Sequence, residues 1–187
     1  MNGLQISNVL LNTPETRYLF QGIFTYDNIP KKVNSEDGFL VVNTISENNQ
    51  GFQKLKPSIG HWLLMYFSNN TAFFLDSMGA RPESYGKNIL ECFESFPGHR
   101  MIVFSKPIQN DFSMACGAYL IMFAYYMSFE RGVSIIRSKF GTNTCRNDNI
   151  AYNFLYNLTG TDKFCTPELC PARTFGRKCQ DNCECHK

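Results

Sequence analysis

Alternating apolar and polar runs divide the chain into short strands and a few helices. Runs rich in aromatic and β-branched residues, bounded by turn residues, are typical of strands. The runs of this kind are YLFQGIFTY, FLVVNT, HWLLMYF, AFFLDSMG and RMIVFS. Helices are predicted where apolar residues recur every three or four positions or fill a segment on all sides. The segments of this kind are residues 4–11, 82–95, 114–129 and roughly 147–158.

The third and fourth strands are predicted to form a hairpin, because only a short polar segment separates them. If the turn consists of residues 69–70, Ser68 pairs with Thr71. Counting outward from this pair makes His61 and Asp76 diagonal neighbours on one face, with backbones about 7–8 Å apart. A shift of one residue would place the two side chains on opposite faces.

Residues 114–129 are apolar on nearly all sides, as expected for a helix at the centre of a fold. This run is shorter than the roughly 20 residues that cross a bilayer, so no membrane partner is predicted. Cys116 lies where the helix starts, and a helix amino terminus lowers the pKa of a thiol. Gly117 allows substrate to approach closely. The alternative is that Cys116 is an ordinary buried cysteine.

A cysteine nucleophile needs a base, and the chain has three histidines. His99 lies in a turn and His186 is next to last, whereas His61 opens a strand that faces Asp76. His61 is therefore the candidate general base, and Asp76 is the candidate residue that orients its ring. Taken singly, His61 could be an ordinary strand-end histidine, and Asp76 could be an ordinary turn aspartate.

Acyl transfer also needs donors for the developing oxyanion. Gln109, in the polar loop before the nucleophile, can supply an amide, and the Cys116 backbone N–H can supply a second donor. Alone, Gln109 would be read as a loop glutamine. The order His61, Asp76, Gln109, Cys116 predicts thiol hydrolase chemistry that requires no cofactor.

Composition bounds the class of protein. The 187 residues, 43% of them hydrophobic, suffice for one domain with a full core. A formal net charge of +2 gives no whole-molecule field that would favour nucleic acid or membrane. The amino-terminal residues do not resemble a secretory signal, so an intracellular location is predicted.

The carboxy-terminal segment differs from the rest because apolar periodicity ends near Thr159. The predicted organisation is a domain over residues 1–159 and a cysteine-rich extension over residues 160–187. Zinc ligands, disulfides and free thiols all remain open for the extension, since the spacing fits no standard finger well. The candidate ligands are Cys165, Cys170, Cys179 and Cys183.

Four segments in this order resemble the adenovirus protease (adenain) family and, more loosely, the ubiquitin-like-modifier proteases. The likeness covers Tyr18 to about Phe129, and the seven-position step from Gln109 to Cys116 matches the adenovirus form. The segments are YLFQGIFTYDNIP, FLVVNT, GHWLLMYF and IQNDFSMACG.

This resemblance implies an α+β, papain-like or adenain-like fold, in which a central helix carrying the nucleophile packs on a mixed β-sheet with flanking helices. It also implies a thiol endopeptidase that cleaves viral or virus-like precursor proteins at Gly-Gly or Gly-X sites during virion maturation. The corresponding location is the host nucleus or cytoplasm and the virion.

The chain departs from the adenovirus pattern at two places. The acid is Asp76 rather than glutamate, as in the cellular relatives. Arg100 or Met101 falls near the position of the cysteine that binds the family's activating peptide. The activating peptide is therefore not carried over. DNA stimulation is not carried over either, because the formal net charge is only +2. Two alternatives stay open, a ubiquitin-like-modifier deconjugase and a non-catalytic binding module.

Overall fold

A computed structural model of the chain describes residues 1–33, 37–45, 60–96 and 100–161. Within these ranges lie five strands and five α-helices. The strands are β1 (Phe20–Thr25), β2 (Gly38–Asn43), β3 (Trp62–Ser68), β4 (Thr71–Leu75) and β5 (Arg100–Phe104). The helices are α1 (Gly3–Asn12), α2 (Lys87–Glu94), α3 (Cys116–Met127), α4 (Gly132–Lys139) and α5 (Thr144–Thr159).

The five strands form one mixed sheet in the order β1-β2-β3-β4-β5. The two outer pairs, β1–β2 and β4–β5, are parallel, and the pairs that include β3 are antiparallel. Strands β2 and β3 are buried along almost their whole length, so both faces of the sheet are covered. The predicted α+β class with a mixed sheet is confirmed.

Side chains of β3 alternate between two hydrophobic cores, as the twofold period of a strand requires. Leu64 and Tyr66 point into the core that contains α1, α3 and α5. Leu63, Met65 and Phe67 point into the second core, which contains α2. The sheet therefore lies between two helical layers.

Helix α3 is the centre of the larger core. It contacts β3, α1, α4 and α5, and its residues are buried except near the carboxy-terminal end. Because every side of this helix meets protein, its residues are apolar all round rather than amphipathic. The prediction of a central helix over residues 114–129 is confirmed, with bounds two residues shorter at each end.

Two helical predictions need correction. The predicted helix 82–95 is divided into a 3₁₀ helix, Pro82–Tyr85, and α2, because Gly86 has a φ of 98° that no α-helix accommodates. Helix α4, which begins at Gly132, was not predicted. Its residues carry few apolar positions, and Ile136 is its buried apolar anchor.

Nearly all of the predicted extension at 160–187 falls outside the described residues. Helix α5 ends at Thr159, followed by Gly160 in the left-handed conformation. Within the described ranges, no helix combines the length and the apolar character needed to cross a membrane.

Gly79 follows β4 and packs against the loop that precedes α3. Its φ is +73°, and a Cβ at this position would lie 2.5 Å from the backbone nitrogen of Pro107. We expect Gly79→Ala to lower the free energy of unfolding by about 1–3 kcal/mol, because both the conformation and the space disfavour a side chain. Urea unfolding monitored by circular dichroism measures the change.

Gly141→Ala is the matched control, because no atom lies within 4 Å of a Cβ built there. It should leave the unfolding midpoint almost unchanged. Equal midpoints for the two variants would show that the Gly79 backbone tolerates a side chain.

Candidate active site

The β3–β4 hairpin places His61 beside Asp76. Its register pairs Ser68 with Thr71, as predicted from the sequence. Asn69 and Asn70 form the turn with φ values of 49° and 57°, the left-handed conformation that asparagine tolerates. At the far end of the hairpin, His61 Nε2 lies 2.5 Å from Asp76 Oδ1. The predicted same-face pairing of these two residues is confirmed.

The Asp76 carboxylate is fully buried and accepts several hydrogen bonds besides that of His61. The backbone N–H groups of Met78 and Ala80 donate to it, each at 2.8 Å, and the Tyr85 hydroxyl donates at 2.7 Å. Burial alone would raise the pKa of Asp76, but these hydrogen bonds and the charge of His61 outweigh burial and lower it. The carboxylate therefore stays ionised inside the protein.

His61 lies between this carboxylate and the Cys116 thiol. Its Nε2 is taken by Asp76, so Nδ1 is the ring nitrogen left for the sulfur. Burial lowers the pKa of His61, but hydrogen bonds to Asp76 and Cys116 outweigh burial and raise it to about 9. The ring is therefore held in its protonated form near neutral pH.

The Cys116 thiol shows the complementary shift. Burial raises its pKa, but the hydrogen bond and charge of His61, together with the Trp62 backbone N–H, outweigh burial and lower it. The two opposite shifts describe one coupled pair, a thiolate facing an imidazolium. A thiolate is the nucleophilic form of cysteine.

The position of Cys116 at the start of α3 supplies a further donor. Cys116 is the first residue of the helix, and Ala115 before it provides no side-chain cap. The first N–H groups of a helix have no partner within the helix. The Cys116 N–H is thus available beside its own sulfur, at the positive end of the helix dipole.

Gln109 is buried, and its side-chain amide is held at both ends. Its Oε1 accepts from the Ser77 hydroxyl at 2.6 Å, and its Nε2 donates to the Ser113 carbonyl at 2.9 Å. Rotating the amide by half a turn would place Oε1 against the Ser113 carbonyl oxygen, and because both atoms only accept, the orientation is set. One Nε2 proton is left over after the bond to Ser113 and is free to point at a developing oxyanion.

Two residues that sequence reasoning missed complete the site. Ser77 follows Asp76 directly, and its backbone carbonyl also accepts from the Gln109 N–H at 3.0 Å. Tyr85 donates to Asp76, and its ring lies nearly parallel to that of His61, with centroids 6.1 Å apart. The adjacency of Ser77 to Asp76 was a usable signal. No signal in the sequence pointed to Tyr85, because the 3₁₀ turn that carries it depends on Gly86.

The four residues predicted to carry the chemistry thus lie in one region of the fold. His61 contacts both Asp76 and Cys116, and Gln109 joins the same region through Ser77 and Ser113. The other two histidines, at 99 and 186, lie outside the described residues. The arrangement can supply a nucleophile, a proton carrier, an orienting carboxylate and two oxyanion donors.

The predicted zinc ligands of the extension, Cys165, Cys170, Cys179 and Cys183, also lie outside the described residues. Within the part of the chain that the structure describes, no group of three or more His, Cys, Asp or Glu side chains is placed to hold a metal ion. The zinc site remains a prediction from sequence.

No model of a known protein family matches the chain, and a search of curated proteins finds no match either.

The thiolate can be measured by alkylation with iodoacetamide at pH 6, followed by mass spectrometry of the Cys116 peptide. We expect the parent to react readily, because the Cys116 pKa is lowered and the thiolate persists below the ordinary thiol value of about 8.5. In His61→Ala, burial becomes the dominant influence on Cys116 and raises the pKa of its thiol. The alkylation rate of Cys116 should therefore fall by about tenfold or more.

Cys92 serves as an internal control in the same digest. It is fully buried, and burial raises its pKa to about 12, so it should stay unmodified in both proteins. Equal alkylation rates at Cys116 in the parent and in His61→Ala would contradict the ion pair.

Proposed function

We propose that this chain is a cysteine endopeptidase with Cys116 as nucleophile and His61 as general acid and base. The observation that carries the proposal is the 2.5 Å hydrogen bond between the His61 imidazole and the buried Asp76 carboxylate, on a ring whose charge lowers the pKa of the Cys116 thiol. If His61 were only structural, nothing would require a thiol of lowered pKa beside it. If Cys116 were only a core residue, nothing would require an imidazole beside it.

In the first half-reaction, the Cys116 thiolate attacks the carbonyl carbon of the scissile amide and forms a C–S bond. The carbonyl electron pair moves to oxygen, where the Gln109 amide and the Cys116 N–H stabilise it. The His61 imidazolium then gives its proton to the amide nitrogen, the C–N bond breaks, and the amine leaves. The product is a thioester on Cys116 and a neutral imidazole.

In the second half-reaction, neutral His61 takes a proton from water, and the hydroxide adds to the thioester carbonyl. The same donors hold the oxyanion. When the C–S bond breaks, the acid product leaves and the thiolate faces an imidazolium again. Asp76 keeps Nε2 as a donor throughout, so Nδ1 is the nitrogen that exchanges protons.

The resemblance to adenovirus proteases supports a substrate class, namely viral or virus-like precursor proteins cut at Gly-Gly or Gly-X sites. A second candidate, deconjugation of ubiquitin-like modifiers, is favoured by the aspartate at position 76, the acid found in that group. The two candidates share the chemistry and differ only in what binds next to the glycine pair.

Turnover of fluorogenic peptides that contain a Gly-Gly site tests the proposed function. Cys116→Ala and His61→Ala should show no turnover above background. Gln109→Ala should lower kcat by about 10²–10³-fold, the usual loss for one oxyanion donor. Ser77→Ala should cause a smaller loss, because it frees the Gln109 amide without removing it.

Cys92→Ala is the matched control for Cys116→Ala, because Cys92 is a buried cysteine in the core on the opposite side of the sheet. It should keep parental kcat. Turnover that is equal in the parent, Cys116→Ala and His61→Ala would refute the protease.

The two substrate classes can be separated with the active parent. Viral precursor peptides should be cleaved, whereas electrophilic probes built on the carboxy terminus of ubiquitin-like modifiers should not label Cys116. Labelling by the probes without cleavage of the peptides would favour the deconjugase instead.

A further inference from the structure

A second buried polar cluster lies beside the loop that carries Gln109. At its centre is the Asp148 side chain on α5, which is 7% exposed. Asp148 Oδ1 accepts from the Tyr119 hydroxyl at 2.8 Å and from the Asn110 backbone N–H at 3.3 Å. Asp148 thus joins α5 to α3 and to the loop.

The neighbouring residue on α5 holds the same loop at a second point. Asn147 Nδ2 donates to the Ile108 carbonyl at 3.0 Å, and the Tyr119 hydroxyl lies 3.0 Å from that carbonyl as well. The points held from α5 are therefore Ile108 and Asn110. They flank Gln109 on both sides.

Gln109 depends on one of these points through Ser113. Its Nε2 donates to the Ser113 carbonyl, and the Ser113 N–H donates to the Asn110 carbonyl at 3.0 Å. A displacement of Asn110 would therefore move the acceptor that orients the Gln109 amide. The contacts run from Asp148 through Asn110 and Ser113 to the oxyanion donor.

A carboxylate is a costly choice for a buried position. Burial raises the pKa of Asp148, and the hydrogen bonds from Tyr119 and Asn110 only oppose this shift. The ion pairs among the described residues are His61–Asp76 and Lys87–Glu91, and neither involves Asp148. What a carboxylate offers instead is room for several donors at once, so one side chain can hold three segments together.

We propose that Asp148 is a positioning residue that fixes residues 108–113 and thereby aims the Gln109 amide at the oxyanion. The proposal rests on the proposed function, since it assigns Asp148 to the oxyanion side of that site. It separates two tasks: the His61–Asp76 pair generates the thiolate, and the α5 cluster holds the donor that stabilises the intermediate.

Three variants on α5 test the proposal, compared by kcat, KM and thermal unfolding. Asp148→Ala should lower kcat by about tenfold or more, up to the loss expected for removing the Gln109 amide itself, with little change in KM. Asp148→Asn keeps an acceptor for Tyr119 and Asn110 and should recover most of kcat. Leu155→Ala, at another buried position of α5, should lower stability while kcat stays at the parental value.

A second readout separates positioning from general damage. Alkylation of Cys116 by iodoacetamide needs the thiolate but no oxyanion donor, so Asp148→Ala should react at the parental rate. Tyr119→Phe keeps the carboxylate and removes its nearest donor, so it should fold and show a smaller loss of kcat even if Asp148→Ala fails to fold. Loss of alkylation in parallel with kcat, or unchanged kcat in both variants, would overturn the proposal.

Hydrogen exchange without substrate distinguishes failure of this inference from failure of the proposed function. Amides in residues 106–115 should exchange faster in Asp148→Ala than in the parent and at nearly the parental rate in Asp148→Asn, whereas those of the β3–β4 hairpin should not change in either variant. If the parent cleaves no peptide, the proposed function fails, and the exchange of this loop still decides whether Asp148 holds it. Unchanged exchange in the loop would end the positioning role.

Discussion

The hydrogen bond between His61 and Asp76 is the interaction on which the candidate site depends. It holds the imidazole in one orientation, keeps Nε2 as a donor and leaves Nδ1 facing Cys116. A buried carboxylate would take up a proton if left alone. The N–H groups of Met78 and Ala80 and the Tyr85 hydroxyl prevent this by spreading its charge over three further donors. The ionised acid then sustains the imidazolium, which sustains the thiolate.

This arrangement of charges requires two distant parts of the sequence to be held in a fixed position relative to each other. His61 and Asp76 come from the ends of one hairpin, and Cys116 comes from the start of the central helix. Strand β3 packs directly against α3, and both are buried on every side. A close-packed core has little freedom to shift. The site is therefore positioned by the same packing that stabilises the fold.

The oxyanion side of the site is built differently. Gln109 lies in a loop, and loops lack the regular hydrogen bonds of strands and helices. Ser77 holds its amide from the sheet side, while Asp148 and Asn147 hold the flanking residues from α5. Buried polar contacts thus hold this loop in place, whereas apolar packing holds β3 and α3 in place.

What the sequence determined by itself is everything governed by local periodicity: the five strands, the two-residue turn with its register, the central helix and the pairing of His61 with Asp76. The pairing follows from counting once residues 69–70 form the turn, because a strand has a period of two and the turn then sets the register. What only the tertiary structure decided are contacts between distant segments, including those of Tyr85, Ser77 and Asp148, and the break at Gly86. Such contacts leave no periodic trace, since a buried tyrosine or aspartate finds its partner only when separate elements pack together.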